Sequence, residues 1–203
     1  MIQAEDGIRV AEETRGLGNV NKRQILASCS SPNEKITKDT KISKTNTIRA
    51  DYKVPKDIKE LEDDSANIVK VKFLQNKTIG KDGSTISEIE ILTSYKGNLE
   101  KGSKVDISEP WYLSDGKYVA VENYIALDKE QEYTIFLGEK DKDTYPLSSL
   151  GYGKFGGSLK EDQAVLADFN ILGEVQKFDF ISENTEEVKN YQLIKEQVAG
   201  KYK

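Results

Sequence analysis

The sequence predicts a mainly β protein: a small antiparallel barrel or sandwich with a short N-terminal helix and a C-terminal helix. Three observations carry that reading. Between residues 67 and 137 apolar and polar side chains alternate, Val69, Val71 and Phe73 against Lys70 and Lys72, then Ile89 and Ile91 against Glu88 and Glu90. A period of two puts every second side chain on one face, so each strand has a buried side and a wet side. Glycine turns at Lys81-Asp82-Gly83, Lys96-Gly97-Asn98 and Ser114-Asp115-Gly116 join the segments closely enough for antiparallel neighbours. After residue 183 the period becomes helical, with Val188, Tyr191, Ile194 and Val198 on one stripe.

The elements follow in order. Tyr52-Lys53-Val54-Pro55 is expected to be extended, since the residue before a proline is pushed out of the helical region. A short helix is expected over 56–64 with Ile58 and Leu61 as its apolar anchors. Strands are predicted over 67–74, 85–95, 105–109, 118–125 and 131–138, with shorter edge strands over 165–169 and 175–181. Trp111 and Tyr112 fall in a loop between the third and fourth strands. The closing helix starts at Asn184, with Glu187 three residues on, and Gly200 stands where a terminating glycine belongs. The predicted division is a 51–182 β-barrel domain followed by a helix over 183–203.

Composition excludes several classes of function. The 203 residues are 36% hydrophobic and 32% charged, and no apolar run approaches the ~20 residues needed to span a bilayer. The formal charge of −5 is unevenly placed: residues 30–50 carry five basic and two acidic side chains, residues 51–203 carry 21 basic and 29 acidic. An acidic body argues against a nucleic-acid partner, because phosphate contacts need a concentrated basic face. With no histidine the usual general base near neutral pH is missing, and one cysteine allows neither an intramolecular disulfide nor a cysteine cluster for zinc. No cofactor, metal ligand or catalytic residue is expected.

Two short matches carry little. Glu139-Lys140-Asp141-Lys142-Asp143 spaces acids like the start of a calcium loop but lacks its glycine and later glutamate. Gly151-Tyr152-Gly153-Lys154-Phe155-Gly156 fits G-x-G-x-x-G, yet it follows an antiparallel region and opens no helix, so it reads as a closing loop.

The N-terminus stands apart. Gln3-Ala4-Glu5-Asp6-Gly7-Ile8-Arg9 and Glu13-Thr14-Arg15-Gly16-Leu17-Gly18, with Val20 and Lys22-Arg23-Gln24, resemble the in-frame translation of a short-read sequencing adapter; Asn19 and Asn21 depart from it. Residues 1–28 are therefore expected to be a non-native segment plus the remnant of a signal peptide. Leu26-Ala27-Ser28-Cys29 resembles a bacterial lipobox, which implies a lipid attachment at Cys29 and a place on the outer face of the cell membrane. Residues 29–50, rich in Lys, Ser and Thr, are expected to form a flexible basic tether.

Tyr95-Lys96-Gly97 after a long strand, Glu132-Tyr133-Thr134-Ile135-Phe136-Leu137 and then Gly153-Lys154-Phe155 resemble a family of uncharacterised secreted or lipid-anchored proteins of Gram-positive bacteria. The resemblance covers about 52–157 and implies an OB-like barrel and an extracytoplasmic location. It transfers no active site.

The function expected from all this is a surface-tethered binding module without catalysis, its ligand a peptide, a protein or an envelope component. Trp111, Tyr112 and Tyr118 are the expected contacts, since aromatics at a loop make a binding platform. The alternatives are a carboxylate-dependent hydrolase built on Asp63, Asp64 and Glu122, and a structural or inhibitor-like spacer in an envelope assembly.

Overall fold

The computed structural model describes residues 35–44 and 48–203. Helix α1 (Ile58–Asp63) is capped by Asp57, whose side chain accepts from Glu60 N at 2.8 Å, and it buries Leu61. Strands β1 (Asn67–Thr78) and β2 (Thr85–Lys96) form the longest pairing, and β3 (Lys104–Glu109) adds to β2. The hairpin β4 (Trp111–Ser114) and β5 (Lys117–Ala120) turns on Asp115 and Gly116, both at positive φ. After it come β6 (Glu132–Leu137), β7 (Thr144–Pro146), β8 (Lys154–Gly156) and β9 (Lys160–Gln163). A short helix α2 (Leu172–Val175), strand β10 (Phe178–Ser182) and helix α3 (Thr185–Lys201) end the chain.

Six strands make one sheet in the order β7-β3-β2-β1-β6-β8, antiparallel except for the β3–β7 pair. Four register shifts along β1–β2 bend the sheet into a half-barrel, since an extra residue on one strand kinks it and increases its twist. The concave side holds Val69, Val71, Ile89, Ile91, Ile135 and Leu137, and the β4–β5 hairpin adds Trp111 and Tyr118. The second apolar cluster unites Ile68 and Phe136 of the sheet with Leu61 of α1 and the α3 stripe Val188, Tyr191, Ile194 and Val198. The period-two and helical-stripe expectations are both met: a mainly β protein with a short helix and a C-terminal helix.

The departures have local causes. Residues 165–169 form a 3-10 turn rather than a strand, because the Asp168 carboxylate accepts from Val165 N at 3.0 Å and curls the segment. The predicted strand over 118–125 stops at Ala120, where Glu122 and Asn123 follow at φ 49° and 58°. Trp111 and Tyr112 lie in a strand, not a loop. Gly200 sits inside α3, whose end is set by Tyr202 N donating to Val198 O at 2.9 Å. In the glycine-rich run the need is steric: a Cβ at Gly153 would stand 2.1 Å from Ser148 O.

The largest correction concerns the expected tether. Residues 35–44 and 48–50 lie against the body; Cys29 and the remainder fall outside the described residues. Ile42 is buried, and Ser43 N and Tyr118 N exchange hydrogen bonds with Tyr118 O and Lys41 O, at 2.9 and 2.8 Å. Ile48 bridges Val121 further along. On the other side Leu172 N and Gly173 N donate to Thr40 O and Lys38 O, at 2.9 and 2.8 Å. A Cβ at Gly173 would meet Lys38 Cβ at 2.9 Å, so the close approach needs glycine. Composition read this segment as polar, but Ile36, Ile42 and Ile48 recur often enough to seat it.

Candidate functional site

The aromatic residues expected to touch ligand are structural. Trp111 and Tyr118 are both 0% exposed and Tyr112 9%. The Trp111 and Tyr118 rings pack at 5.3 Å, and the Tyr118 hydroxyl donates to Tyr124 O at 2.8 Å while accepting from Ala126 N at 3.0 Å. They plug the open side of the half-barrel, because the hairpin that carries them folds across it and the N-terminal segment covers its edge. They present no platform to solvent.

The acids singled out for hydrolysis are dispersed over separate partners. Asp64 pairs with Lys53 at 2.7 Å and Asp63 with Lys59 at 3.6 Å, while Glu122 accepts from Ala50 N at 2.7 Å. Among the described residues no three His, Cys, Asp or Glu side chains converge as metal ligands, and no helix is long and apolar enough to cross a membrane.

The interior holds charges that the strand pattern did not announce. Glu109, fully buried, accepts from the Ser87 hydroxyl, from Tyr124 Oη at 2.9 Å and from Leu127 N at 3.0 Å. Lys154 is 1% exposed, donates to Ile125 O at 2.7 Å and sits over the Tyr124 and Tyr133 rings, 5.1 and 5.5 Å from their centroids. Burial pulls its amine below the ordinary lysine range. Asp179 Oδ2 accepts from Gly156 N at 2.8 Å and from Tyr191 Oη at 2.7 Å, and burial raises its carboxyl above the usual range. Desolvation likewise pushes the Tyr118, Tyr124 and Tyr191 phenols up. These groups are enclosed, so they serve the fold and reach no substrate.

Of the recesses that open to solvent among the described residues, two are the most enclosed. One, of about 370 Å³, runs between α3 and the β1–β6–β8 surface over Phe155 and Val198. Its polar rim is engaged internally: Lys70 with Glu132 at 2.9 Å, Ser158 with Gln131 at 3.1 Å, and Lys195 with Leu159 O, Glu161 and Asp179 at 2.6, 2.6 and 3.2 Å.

The other, of about 300 Å³, lies between the docked N-terminal segment, the end of β1, the 127–130 loop and α2. Phe73, Leu127 and Leu172, all buried, form its apolar floor, and half-buried Ile36 stands at its wall. Beside them Gln176 Oε1 is buried with no hydrogen-bond partner. Lys38 crosses to Glu130 at 2.9 Å, a contact that raises the Lys38 amine's pKa. This recess combines an apolar surface with an unmet polar atom, which is how small binding sites fix orientation. None of its residues is distinctive by type; they come from four segments far apart in sequence. Compared with family models, curated proteins and solved structures, the chain matches none.

Proposed function

We propose that this chain is an extracytoplasmic binding or interaction module without catalysis, lipid-anchored through Cys29 to the outer face of the cell membrane. Its ligand site is the recess between the docked N-terminal segment and α2. The observation that supports this best is the unmet Gln176 Oε1 in an apolar lining, because a buried acceptor without a partner is costly in the free protein and a bound ligand would supply one. Trp111, Tyr112 and Tyr118 then act indirectly, by filling the half-barrel on which the recess is built. The lipobox-like Leu26-Ala27-Ser28-Cys29 supports the anchor.

The anchor is tested on the natural gene with its upstream sequence restored, expressed in a Gram-positive host. Mass spectrometry of the membrane fraction is expected to find Cys29 diacylated at the new N-terminus. An unmodified Cys29 in the soluble fraction would overturn the location.

A further inference from the structure

We propose that the recess beside α2 takes the C-terminal end of a peptide whose last residue is apolar. The proposal rests on the binding reading above and names the chemistry of the ligand. Three features carry it. Half-buried Ile36 and the edge of Phe73 offer apolar contact to a side chain, over a buried floor of Leu127 and Leu172. The Gln176 carboxamide offers an acceptor and donors side by side, with the acceptor unmet, and a peptide group, itself one donor and one acceptor, is its complement.

The rim supplies the third feature. Lys35, Lys38 and Lys129 face Asp128 and Glu130 around the opening. Both acids are engaged, Glu130 with Lys38 at 2.9 Å and Asp128 Oδ1 with Glu130 N at 2.9 Å. Among the described residues Lys35 and Lys129 enter no ion pair and face only the Asp128 carboxylate, which enters none either, so the rim is left with an excess of positive charge beside an acidic body. A terminal carboxylate is the anion that comes attached to a peptide group and a side chain, and backbone-end capture is a recurrent peptide-recognition mode. A volume of about 300 Å³ suits a chain end better than a strand running through.

The test uses the full chain, isotope-labelled for NMR, titrated with N-acetyl-glycyl-leucine, with its C-terminal amide and with inorganic phosphate. The free acid is expected to shift the Gln176 side-chain amide and the Leu127 and Leu172 methyls in a saturable way. The amide form should bind about tenfold more weakly, the loss of one charge-assisted contact. Lys129→Glu should weaken the acid form and leave the amide form unchanged; Gln176→Leu, similar in size and placed at the end of α2, should abolish binding of both without loss of fold. Equal binding of acid and amide would overturn recognition of the chain end while leaving peptide binding intact. Binding of neither would remove the recess from the proposed function as well, whatever the state of Cys29. Phosphate shifting the same residues as the acid would reduce the site to a general anion site. Nuclear Overhauser contacts from residues 29–34 to Phe73 or Leu172 in the free chain would show that the protein fills the recess itself, and that too would overturn the proposal.

Discussion

Glu109 shows what strand parity can and cannot deliver at the scale of a residue. Val105 and Ile107 point inward, and Glu109, two further along, must do the same. Parity therefore placed a carboxylate inside, but the partners that make this tolerable come from Ser87, Tyr124 and Leu127, which no local pattern links to it. The Gln176 acceptor was illegible for the same reason: its surroundings arise only when residues 36, 73, 127 and 172 converge. Trp111 and Tyr112 misled because Pro110 and a following turn made them look like loop residues. The three bonds to Glu109 predict an asymmetry between substitutions. Glu109→Leu strands the Tyr124 hydroxyl and the Leu127 amide and removes one of the two carboxylates, with Asp179, whose charge acts on Lys154, so it should cost about 3–5 kcal/mol. Glu109→Gln keeps an oxygen for Tyr124 and Leu127 and turns its amine toward the Ser87 hydroxyl, which can accept. Its cost should be less than half as large. Urea unfolding at constant m-value measures both; equal losses would mean that charge, rather than bonding, holds Glu109 in place.

At the scale of the element, periodicity served where an element buries one regular face. The α3 stripe is as expected because four apolar residues at helical spacing had a single way to be covered. Strands β1 and β2 run where alternation put them, and overrun it where Gln75 and Asn76 pair with Glu88 and Ser87 on polar contacts that hydrophobic pattern does not report. The segment from 35 to 50 failed on composition, since its seat depends on widely spaced isoleucines and on a neighbour with no side chain at Gly173. That seat is open to test. Ile42→Asp puts a carboxylate in the slot beside Tyr118, and Gly173→Ala pushes against the Lys38 backbone. Each should release residues 35–44 without unfolding the sheet, so that trypsin cuts after Lys38, Lys41 and Lys44 much faster than in the parent chain. Loss of Ile42 burial should also lower overall stability by about 2–5 kcal/mol. Unchanged cleavage in both variants would show that the backbone bonds to Tyr118, with the one that Ile42 N donates to Asn170 O at 2.9 Å, suffice to hold the segment.

On the scale of the whole molecule, docking of this segment changes how a lipid-anchored protein would stand on its membrane. A free tether over residues 29–50 would give the body a reach of about 70 Å at full extension, at 3.3–3.6 Å per residue. With Ile36 already packed against the core, the chain from Cys29 spans at most about 25 Å. The folded domain would then ride close to the bilayer, with the N-terminal segment and the recess it walls on the near side. Such a module would meet ligands at the membrane surface rather than sample the layer above it, and Lys35 and Lys129 would face an anionic surface, where each adds about 1 kcal/mol of attraction. Energy transfer between a donor at Lys38→Cys, introduced chemically after Cys29 is acylated, and acceptor-labelled lipid headgroups reports the distance directly. Transfer should be strong in the parent and fall steeply when a flexible Gly-Ser stretch of about 20 residues is inserted ahead of Lys35. A donor at Leu193→Cys, an exposed position on α3, calibrates the far reach. If the insertion leaves transfer at Lys38 unchanged, the segment is already detached on the membrane, and the wall it gives the recess is absent where the ligand would bind.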